Sequence, residues 1–480
     1  MLLSKLVNCI AHSGFFEDCE VSGIVTDSRQ IKEGNLFICL KGARFDGHSV
    51  AAQVLENGAV AVVTDHDIGL KQQVIVENTR YAYARLCSEY FGRPQDKLKM
   101  IAVTGTNGKT TTANVIKQAL EKLGHKTGVI GTIESQIGDI ALAAKFTTPE
   151  PWELMMILSR MAAVHCEYAV MEASSQALEQ GRLLDMHYDC AIFTNLSQDH
   201  LDYHKTMEAY FEAKKILFGI CDKAVVNSDD PKGKELISEL EVPYRCFSQV
   251  DKEADLFAYD VAYKIDGVDF KLNSHGETAE CSFPMPGKFS VYNAMGCISA
   301  LQSLGFTLDE ACDAVSSTSG VAGRCEVLHK GDLTVIGDYA HTDDALRKLL
   351  SSLKPYVKGR LIVLFGCAGK RDKTKRPKMA RAVCEFADYV VLSSDNPRDE
   401  NPFDIDKSLS LVVDEYKLPY AVIPDRFYAV HAILREMKKG DVFVLTNKGH
   451  EDYQVINGCS VYLDERRIVR DYFSKRGMQK

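Results

Sequence analysis

The chain has 480 residues, 46% of them apolar, and a formal net charge of −9. This length predicts roughly two to four domains, and the lack of a basic, aromatic-rich patch argues against a nucleic acid partner. No apolar run approaches the roughly 18 residues of a membrane span. The fifteen cysteines form no C-x-x-C pair, which predicts reduced, buried thiols in a cytoplasmic protein.

The first block of the chain ends near residue 98 and mixes short apolar runs with turns. Three strands are predicted, at Gly23–Thr26, Asn35–Leu40 and Gly58–Val63. One helix is predicted around Ser49–Asn57, and the glycine and proline of Gly92–Asp96 indicate a linker. We therefore expect a small N-terminal α/β domain over residues 1–98.

The second block, residues 99–324, begins with a glycine-rich turn between a predicted strand (Lys99–Thr104) and a helix-like segment (Thr112–Lys122). The turn and the residues after it are Gly105, Thr106, Asn107, Gly108, Lys109, Thr110 and Thr111. Such a turn presents backbone N–H groups and a helix N-terminus to a polyanion. Lys109 is expected to reach the terminal phosphates of a nucleotide, and Thr110 to bind Mg²⁺.

Short β-rich runs alternate with helical patterns through this block and lie at Lys99–Thr104, Tyr168–Ala173, Cys190–Asn195 and Lys223–Asn227. The alternation predicts a mostly parallel sheet, with chemistry at the carboxyl ends of its strands. Glu172 ends one strand, and His200 follows the next. Alone they are compatible with helix caps and surface turns. Beside a phosphate-binding turn, a carboxylate and an imidazole predict a divalent metal site.

Lys214 lies in the middle of an apolar helical face. Between Met207 and Ile220, apolar residues fall at positions 207, 210, 211, 217 and 218. A lysine at such a place commonly extends its ammonium into solvent, and the sequence leaves that alternative open. A buried lysine would favour the neutral amine, which can capture CO₂ as a carbamate, an anionic oxygen ligand suited to Mg²⁺.

The third block, residues 325–480, repeats the alternation, with strands predicted at Thr334–Tyr339, Arg360–Phe365, Tyr389–Ser393 and Val442–Thr446. One strand is closed by Asp395, Asn396, Pro397 and Arg398, and a basic loop containing Arg371 follows another. An arginine fork suits a substrate carboxylate. A solvated turn and a solvated loop are the alternatives for these two segments.

Together the motifs resemble those of the Mur ligases, in order over nearly the whole chain. They are Thr26–Arg29, Gly105–Thr111, Thr147–Pro149, Met171–Ser175, Asn195–His204, Tyr210–Phe218, Gly287–Asn293, Gly323–Arg324, Asp338–His341, Asp395–Arg398 and Lys448–Glu451. Each motif alone is moderate evidence, whereas the ordered set is very specific. The resemblance implies three α/β domains: an N-terminal UDP-binding domain, a central P-loop ATPase-like domain with a mostly parallel sheet, and a C-terminal Rossmann-like domain.

The resemblance also implies a cytoplasmic, monomeric ligase of peptidoglycan precursor synthesis that uses ATP, Mg²⁺, UDP-MurNAc-L-Ala-D-Glu and meso-diaminopimelate. It assigns the UDP group to Ser28 and Ala43–Phe45, and the muramyl dipeptide to Thr147, Thr148, Ser174, Gln180 and Arg182. It assigns ATP to residues 105–111, Asn293, Arg324 and Asp338, and Mg²⁺ to Thr110, Glu172, His200 and carbamylated Lys214. It assigns the incoming amino acid to Arg371, Asp395, Asn396, Pro397, Arg398 and Glu451.

In this family an arginine at the position of Arg398 accompanies meso-diaminopimelate, whose distal carboxylate needs a guanidinium, whereas L-lysine would be repelled. The chain departs from the family pattern at three positions. Asn447 and Ala368 stand where glycine is frequent, and Asp343 stands where proline is frequent. None of these departures removes a charged catalytic group.

Two other functions are compatible with parts of the pattern. A relative with another substrate, such as folylpolyglutamate synthase, would share the nucleotide site, but the Thr26–Arg29 motif favours a UDP-sugar substrate. A nucleotide-driven regulator or motor would leave Lys214 and Asp395–Arg398 unexplained.

Overall fold

The computed structural model describes residues 1–42, 45–138 and 140–477. Within them the chain forms two compact units. The first comprises Met1–Asp255 and Gly296–Thr307, and the second comprises Leu256–Met295 and the chain from Leu308 onward. The sequence-based boundaries after residues 98 and 324 remain predictions, while the α/β fold class is confirmed.

A four-stranded parallel sheet forms the N-terminal part of the first unit. Its strands, in spatial order, are β1 (Gly23–Val25), β2 (Asn35–Ile38), β3 (Ala59–Thr64) and β4 (Gln73–Ile75). The helices beside them are α1 (Leu3–Val7), α2 (Ala51–Glu56) and α3 (Thr79–Tyr90). The predicted strands and helix are confirmed, with ends shifted by one or two residues.

The central sheet of the first unit is mostly parallel, as predicted. Its strands are β5 (Lys99–Thr104), β6 (Thr127–Ile130), β7 (Glu134–Ile137), β8 (Ile140–Ala143), β9 (Tyr168–Glu172), β10 (Cys190–Phe193), β11 (Ala224–Asn227) and β12 (Tyr244–Ser248). Their spatial order is β12-β11-β10-β5-β9-β6-β7-β8, and β7 and β8 are antiparallel to their neighbours. The helices are α4 (Lys109–Lys122), α5 (Pro151–Ala163), α6 (Ser175–Glu179), α7 (Leu201–His204), α8 (Met207–Lys215) and α9 (Pro231–Glu239).

The register of this sheet positions the glycine-rich turn. Val103 pairs with Glu172 on one side of β5, and Thr104 pairs with Phe193 on the other. The carboxyl ends of β9, β5 and β10 therefore meet at one edge. The turn after Thr104, the Glu172 carboxylate and the loop after Phe193 are neighbours there, which is where a sheet of this kind presents its ligand site.

The second unit contains an antiparallel meander that the sequence analysis did not predict, formed by β13 (Leu256–Lys264), β14 (Gly267–Ser274) and β15 (Glu277–Phe283). Along β13, buried or half-buried residues alternate with exposed ones over much of the strand. A strand with one face in solvent lacks the continuous apolar run by which buried parallel strands were recognised.

A second sheet in this unit has the order β16-β17-β21-β18-β19-β20, with β16 antiparallel and the others parallel. Its strands are β16 (Glu326–His329), β17 (Thr334–Gly337), β18 (Leu361–Phe365), β19 (Tyr389–Leu392), β20 (Tyr420–Val422) and β21 (Val442–Leu445), and β22 (Tyr453–Ile456) and β23 (Cys459–Tyr462) form a hairpin. The helices from residue 288 onward are α10 (Lys288–Ser303), α11 (Leu308–Ser316), α12 (Asp343–Leu353), α13 (Lys375–Cys384), α14 (Pro402–Glu415), α15 (Arg426–Glu436) and α16 (Glu465–Gly477). The four strands predicted for this block are confirmed.

All fifteen cysteines lie in the described residues as free thiols, and most of them are buried, as predicted. Cys459 is the exposed one. Among the described residues, no helix combines the length and hydropathy needed to cross a membrane.

Asp406 on α14 is a buried carboxyl group. It is 1% exposed, and neither oxygen has a hydrogen-bond partner among the described residues. Burial raises the pKa of Asp406 from 3.8 to about 6. Because the folded-state pKa lies above the unfolded one, stability falls as the pH rises through this interval. The difference between the two pKa values lowers the free energy of unfolding by roughly 3 kcal/mol above about pH 7.

We expect Asp406→Leu to raise the melting temperature more at about pH 8 than at about pH 5, because only the charged carboxylate carries the full desolvation cost. Differential scanning calorimetry at the two pH values measures this. Asp404→Leu, at an exposed position of the same helix, is the matched control. An equal gain at both pH values for Asp406→Leu would contradict the prediction.

Candidate active site

The glycine-rich turn connects β5 to α4 and depends on both of its glycines. Gly105 has a φ of +145°, and a side chain there would collide with the Thr194 hydroxyl. Gly108 has a φ of +87° and is the N-cap residue of α4, a conformation that costs glycine little. The helix therefore begins at Lys109, earlier than predicted. The N–H groups at the start of a helix point away along its axis and suit phosphate oxygens.

The loop after β10 holds this turn in shape. Thr106 N donates to Asn195 O at 2.9 Å, and Asn107 N donates to Asn195 Oδ1 at 3.0 Å. Thr194 Oγ1 donates to Asn107 O at 2.7 Å, and Ser197 N donates to Thr106 Oγ1 at 2.9 Å. The turn is thus fixed from both its backbone and its side chains.

Two lysines donate to one carbonyl oxygen in this turn. Lys109 Nζ lies 2.8 Å from Gly105 O and 2.9 Å from Thr106 O, and Lys214 Nζ lies 2.9 Å from the same Gly105 oxygen. Lys214 is 1% exposed, so the alternative that its ammonium extends into solvent is wrong. Burial, followed by the charge of Lys109, lowers the pKa of Lys214 well below 10.5, while Asp199 opposes this.

Tyr210, one turn before Lys214 on α8, forms a wall of this site and was not among the predicted site residues. Its ring centroid lies 4.4 Å from Lys214 Nζ, and its hydroxyl donates to Thr106 Oγ1 at 3.2 Å. Burial raises the pKa of Tyr210 to about 12, despite the opposing hydrogen bond to Thr106. The side chain therefore remains a neutral donor.

Glu172 is fully buried at the carboxyl end of β9 and faces the first turn of α4. Thr110 Oγ1 donates to Glu172 Oε2 at 2.9 Å. Thr132 donates to both carboxylate oxygens, from its backbone N at 2.7 Å and from its hydroxyl at 3.1 Å. The hydroxyl and carboxylate oxygens fit Mg²⁺, which prefers hard oxygen ligands. Thr132 was missed because it lies in a bend outside any recognised motif.

His200 is exposed and has a φ of +52° before α7. Its Nε2 lies 3.6 Å from Asp199 Oδ2, and its ring centroid lies 6.0 Å from that of Tyr210. The buried histidine of this motif is instead His204, whose Nε2 lies 2.9 Å from Ser175 Oγ and whose pKa burial lowers. The assignment of His200 to Mg²⁺ stays a prediction.

Three of the residues assigned to the muramyl dipeptide are neighbours of Glu172. Thr148 Oγ1 donates to the backbone oxygen of Glu172 at 2.7 Å, and Ser174 N donates to Thr148 Oγ1 at 3.0 Å. The hydroxyls of Thr147 and Thr132 are 3.1 Å apart. The residues assigned to the dipeptide and those assigned to the metal therefore form one contiguous group.

Arg182 and Gln180 extend that group of residues. Arg182 donates to Thr148 O at 2.8 Å and to Gln180 Oε1 at 2.7 Å, and its Nε lies 2.9 Å from Glu150 Oε1. Burial lowers the pKa of Arg182, while Glu150 opposes this. Glu150, which orients the guanidinium, carried no sequence signal beyond its place after Pro149.

Residues assigned to the UDP group are only partly described. Ser28 is half-buried in a short 3₁₀ turn that Asp27 caps by accepting from Arg29 N. Ala43 and Arg44 lie outside the described residues, and Phe45 is exposed.

Three residues assigned to ATP belong to the second unit. Asn293 is buried on α10. Asp338, after β17, accepts from Cys325 N and from Ala340 N, both at 2.7 Å. Burial raises the pKa of Asp338, and the guanidinium of Arg324 opposes this rise.

A cavity of about 690 Å³ opens in the second unit, at the carboxyl ends of β17, β18, β19 and β21. Its wall contains cationic and anionic side chains together, Arg371, Lys375, Arg376, Arg398, Asp372, Asp395 and Glu451. Five of the six residues assigned to the incoming amino acid line it, including Asn396. The sixth, Pro397, lines a separate cavity of about 350 Å³ that Arg398 also borders.

Lys448 organises the polar side of the larger cavity and was missed as a site residue. Its fully buried ammonium lies 2.6 Å from Glu451 Oε2, 3.1 Å from Asn396 Oδ1 and 3.8 Å from Asp395 Oδ1. Asn396 Nδ2 also donates to Glu451 Oε2 at 3.2 Å. Burial raises the pKa of Asp395, and the charge of Lys448 opposes this most strongly.

Arg398 is half-buried with a φ of +54°, and its Nη1 donates to Gly369 O at 3.1 Å. Asn447 adopts a φ of +76°, a conformation that asparagine tolerates better than most residues. Its Oδ1 accepts from Gly366 N at 3.0 Å. The departure from the frequent glycine at 447 therefore keeps a glycine-like backbone.

Three family models match the chain in order. The Mur ligase family, catalytic domain, matches residues 20–90, the Mur ligase middle domain matches 103–301, and the Mur ligase, glutamate ligase domain matches 323–449.

Related proteins match this chain over nearly its full length. The UDP-N-acetylmuramoyl-L-alanyl-D-glutamate--2,6-diaminopimelate ligase of Clostridium perfringens is 39% identical and covers 95% of each chain, and that of Geobacillus thermodenitrificans is 38% identical over 99% of each. A solved structure of an enzyme with the same name has a TM-score of 0.73 at 33% identity, covering 95% of both chains. The chain therefore belongs to the Mur ligase family, whose members are ATP-dependent amide-bond ligases.

Proposed function

We propose that this chain joins meso-2,6-diaminopimelate to the γ-carboxylate of D-glutamate in UDP-MurNAc-L-Ala-D-Glu, with ATP converted to ADP and phosphate. The mixed charge of the 690 Å³ cavity is the observation that supports meso-diaminopimelate as the incoming amino acid. Meso-diaminopimelate has two carboxylates and two ammonium groups. Guanidinium groups at Arg371 and Arg398 suit the carboxylates, and the carboxylates of Asp395 and Glu451 suit the ammonium groups.

The chemistry proceeds in two steps. The glutamyl carboxylate attacks the γ-phosphorus of ATP, the bond to the β–γ bridging oxygen breaks, and an acyl phosphate and ADP form. An amine of diaminopimelate then attacks the acyl carbon, loses a proton, and expels phosphate from the tetrahedral intermediate. Lys109 and the first-turn N–H groups of α4 stabilise the charge that develops on the transferred phosphoryl group.

Mg²⁺ would be held by Thr110, Glu172, His200 and a carbamate on Lys214, and it would supply positive charge to the phosphate oxygens. Thr147, Thr148, Ser174, Gln180 and Arg182 would hold the muramyl dipeptide, and Ser28 with Ala43–Phe45 the UDP group. Asn293, Arg324 and Asp338 would contribute to ATP. We expect a monomer, because all these residues belong to one chain.

A product assay tests the proposal. The protein is incubated with ATP, the UDP-muramyl dipeptide and, in separate reactions, meso-diaminopimelate, L-lysine or L-glutamate, and products are identified by mass. We expect one product, from diaminopimelate, with phosphate release that depends on the amine. A preference for L-lysine would overturn the substrate assignment, and amine-independent phosphate release would favour a nucleotide-driven regulator.

Arg398→Ala is expected to raise KM for meso-diaminopimelate strongly and to change KM for ATP and the UDP-muramyl dipeptide little. Losing one partner of a partly buried charge pair costs roughly 2–5 kcal/mol, or about 30- to several-thousand-fold. Discrimination against L-lysine should also narrow, because part of its rejection is like-charge repulsion. Steady-state kinetics with each amino acid measures both effects.

Arg381→Ala is the control, because Arg381 is exposed on α13 and does not line the cavity. Arg398→Lys separates charge from geometry, since it keeps the charge and loses the bidentate fork. An unchanged KM for diaminopimelate in Arg398→Ala would remove this arginine from the pocket and leave the reaction class intact.

A further inference from the structure

A cluster of two histidines and an aspartate lies in the N-terminal sheet, outside the residues assigned to the ligase reaction. His48 belongs to a short 3₁₀ turn (Gly47–Val50) after β2, and Asp65 and His66 follow β3 directly. Because β2 and β3 pair in parallel, both segments leave the same edge of the sheet. The potential ligand atoms of the three side chains lie within 4.8 Å of one another.

The hydrogen bonds of His48 orient it for coordination. Its Nδ1 lies 2.6 Å from Asp46 Oδ1, and its side chain is 9% exposed. Its Nε2 is buried and has no hydrogen-bond partner among the described residues, although Asp65 Oδ1 is 3.2 Å away. With the ring proton on Nδ1, the Nε2 lone pair faces a carboxylate oxygen. An aspartate that holds the other ring nitrogen is the usual support of a metal-binding histidine.

His66 approaches the same oxygen from another direction. Its Nδ1 lies 2.5 Å from Asp65 Oδ1, and its ring stacks on that of His48 with centroids 4.9 Å apart. A carboxylate oxygen with imidazole nitrogens around it is a donor set of the kind that binds zinc. Tetrahedral zinc with bonds near 2.1 Å places neighbouring ligand atoms roughly 3.4 Å apart. The 3.2 Å between His48 Nε2 and Asp65 Oδ1 is close to this spacing. The 2.5 Å between His66 Nδ1 and Asp65 Oδ1 is a hydrogen-bond distance, so the exposed His66 ring must move away from Asp65 by roughly 1 Å when the ion binds.

We propose that His48, Asp65 and His66 bind a divalent transition-metal ion of the Zn²⁺ type. Asp46 orients His48, and the fourth coordination position is left to water. The ion joins the turn after β2 to the end of β3 and thereby stabilises the N-terminal sheet. It is chemically distinct from Mg²⁺, because two imidazoles and one carboxylate suit Zn²⁺, whereas the residues assigned to Mg²⁺ offer mainly oxygen ligands. The competing explanation is a doubly protonated His48 held between Asp46 and Asp65 without a metal.

Calorimetric titration of the EDTA-treated full-length protein with ZnCl₂, in excess Mg²⁺, tests the proposal. We expect one tight site per chain. His66→Gln should weaken it more than about tenfold, and Asp46→Asn by about 10–100-fold, as for a residue that supports a metal ligand. His66 is 61% exposed, so its replacement should leave the apoprotein melting temperature unchanged. His187→Gln is the matched control, because His187 forms an exposed pair with Asp222 in the same unit.

Two further measurements separate the explanations. In ¹⁵N-detected spectra, Zn²⁺ should shift Nε2 of His48 and leave its Nδ1 protonated. A Co²⁺-loaded sample should lack the charge-transfer band of a thiolate ligand, which excludes the exposed Cys459. Equal Zn²⁺ affinity in His66→Gln and the parent, a thiolate band, or a His48 ring that stays doubly protonated with Zn²⁺ present would each overturn the proposal.

Discussion

Replacing Lys109 with alanine should reduce ligation by at least about 10²–10³-fold, the loss seen when a group that stabilises transition-state charge is removed. Lys109 is the first residue of α4, and its ammonium lies on the carbonyls of Gly105 and Thr106. Phosphoryl transfer needs positive charge at this point. Binding of the UDP-muramyl dipeptide should persist, because its assigned contacts do not include this lysine.

Phosphate release with all three substrates measures turnover, and calorimetry with the UDP-muramyl dipeptide alone measures binding. Lys122→Ala, at an exposed position in the last turn of the same helix, is the control and should retain full activity. Near-normal turnover of Lys109→Ala would remove the glycine-rich turn from the mechanism.

Lys214 is expected to carry a carbamate, formed when its neutral amine bonds to the carbon of CO₂ and releases a proton. The lowered pKa of Lys214 favours the neutral amine, and a carbamate nitrogen keeps one N–H for Gly105 O. Lys214→Ala should lose at least about 10–100-fold in activity, as for a lost metal-supporting residue. Added short-chain carboxylic acid should restore part of it by supplying the missing anion.

Lys214→Met keeps most of the side-chain volume and should be equally impaired, which separates lost chemistry from a packing defect. Lys215→Ala is the control, since the Lys215 ammonium pairs with Glu212 and Glu239 at the surface of the helix. A carbamate signal from ¹³C-bicarbonate should appear in the parent and vanish in Lys214→Met. Full activity of Lys214→Ala, or unmodified lysine in crystals grown with bicarbonate, would refute the carbamate.

The sequence by itself determined the features that neighbouring residues encode. Gly105 and Gly108 with Lys109 and Thr110 specify a strand, a turn and a helix N-terminus, because backbone conformation and helix capping are local. Apolar runs separated by helical patterns predicted the parallel strands, and polar residues after those runs marked the edge where ligands bind. Asp395 and Arg398 are recognisable in this way from the sequence alone.

Only the tertiary structure decided which of these side chains are buried and what they contact. The shared Gly105 oxygen joins Lys214 to a residue 109 positions away, and no local pattern distinguishes a buried lysine from a surface one on the same apolar face. Tyr210 and Lys448 are recognised as site residues only from their tertiary contacts, for the same reason.

The local sequence likewise does not show which histidine is buried, and it does not reveal the meander. The expected metal ligand His200 is exposed, whereas His204 is buried. The meander β13–β15 was not predicted because exposed residues interrupt the apolar pattern in each of its strands. Burial, and with it pKa and hydrogen bonding, depends on elements packed from distant parts of the chain. The local sequence does not contain that information.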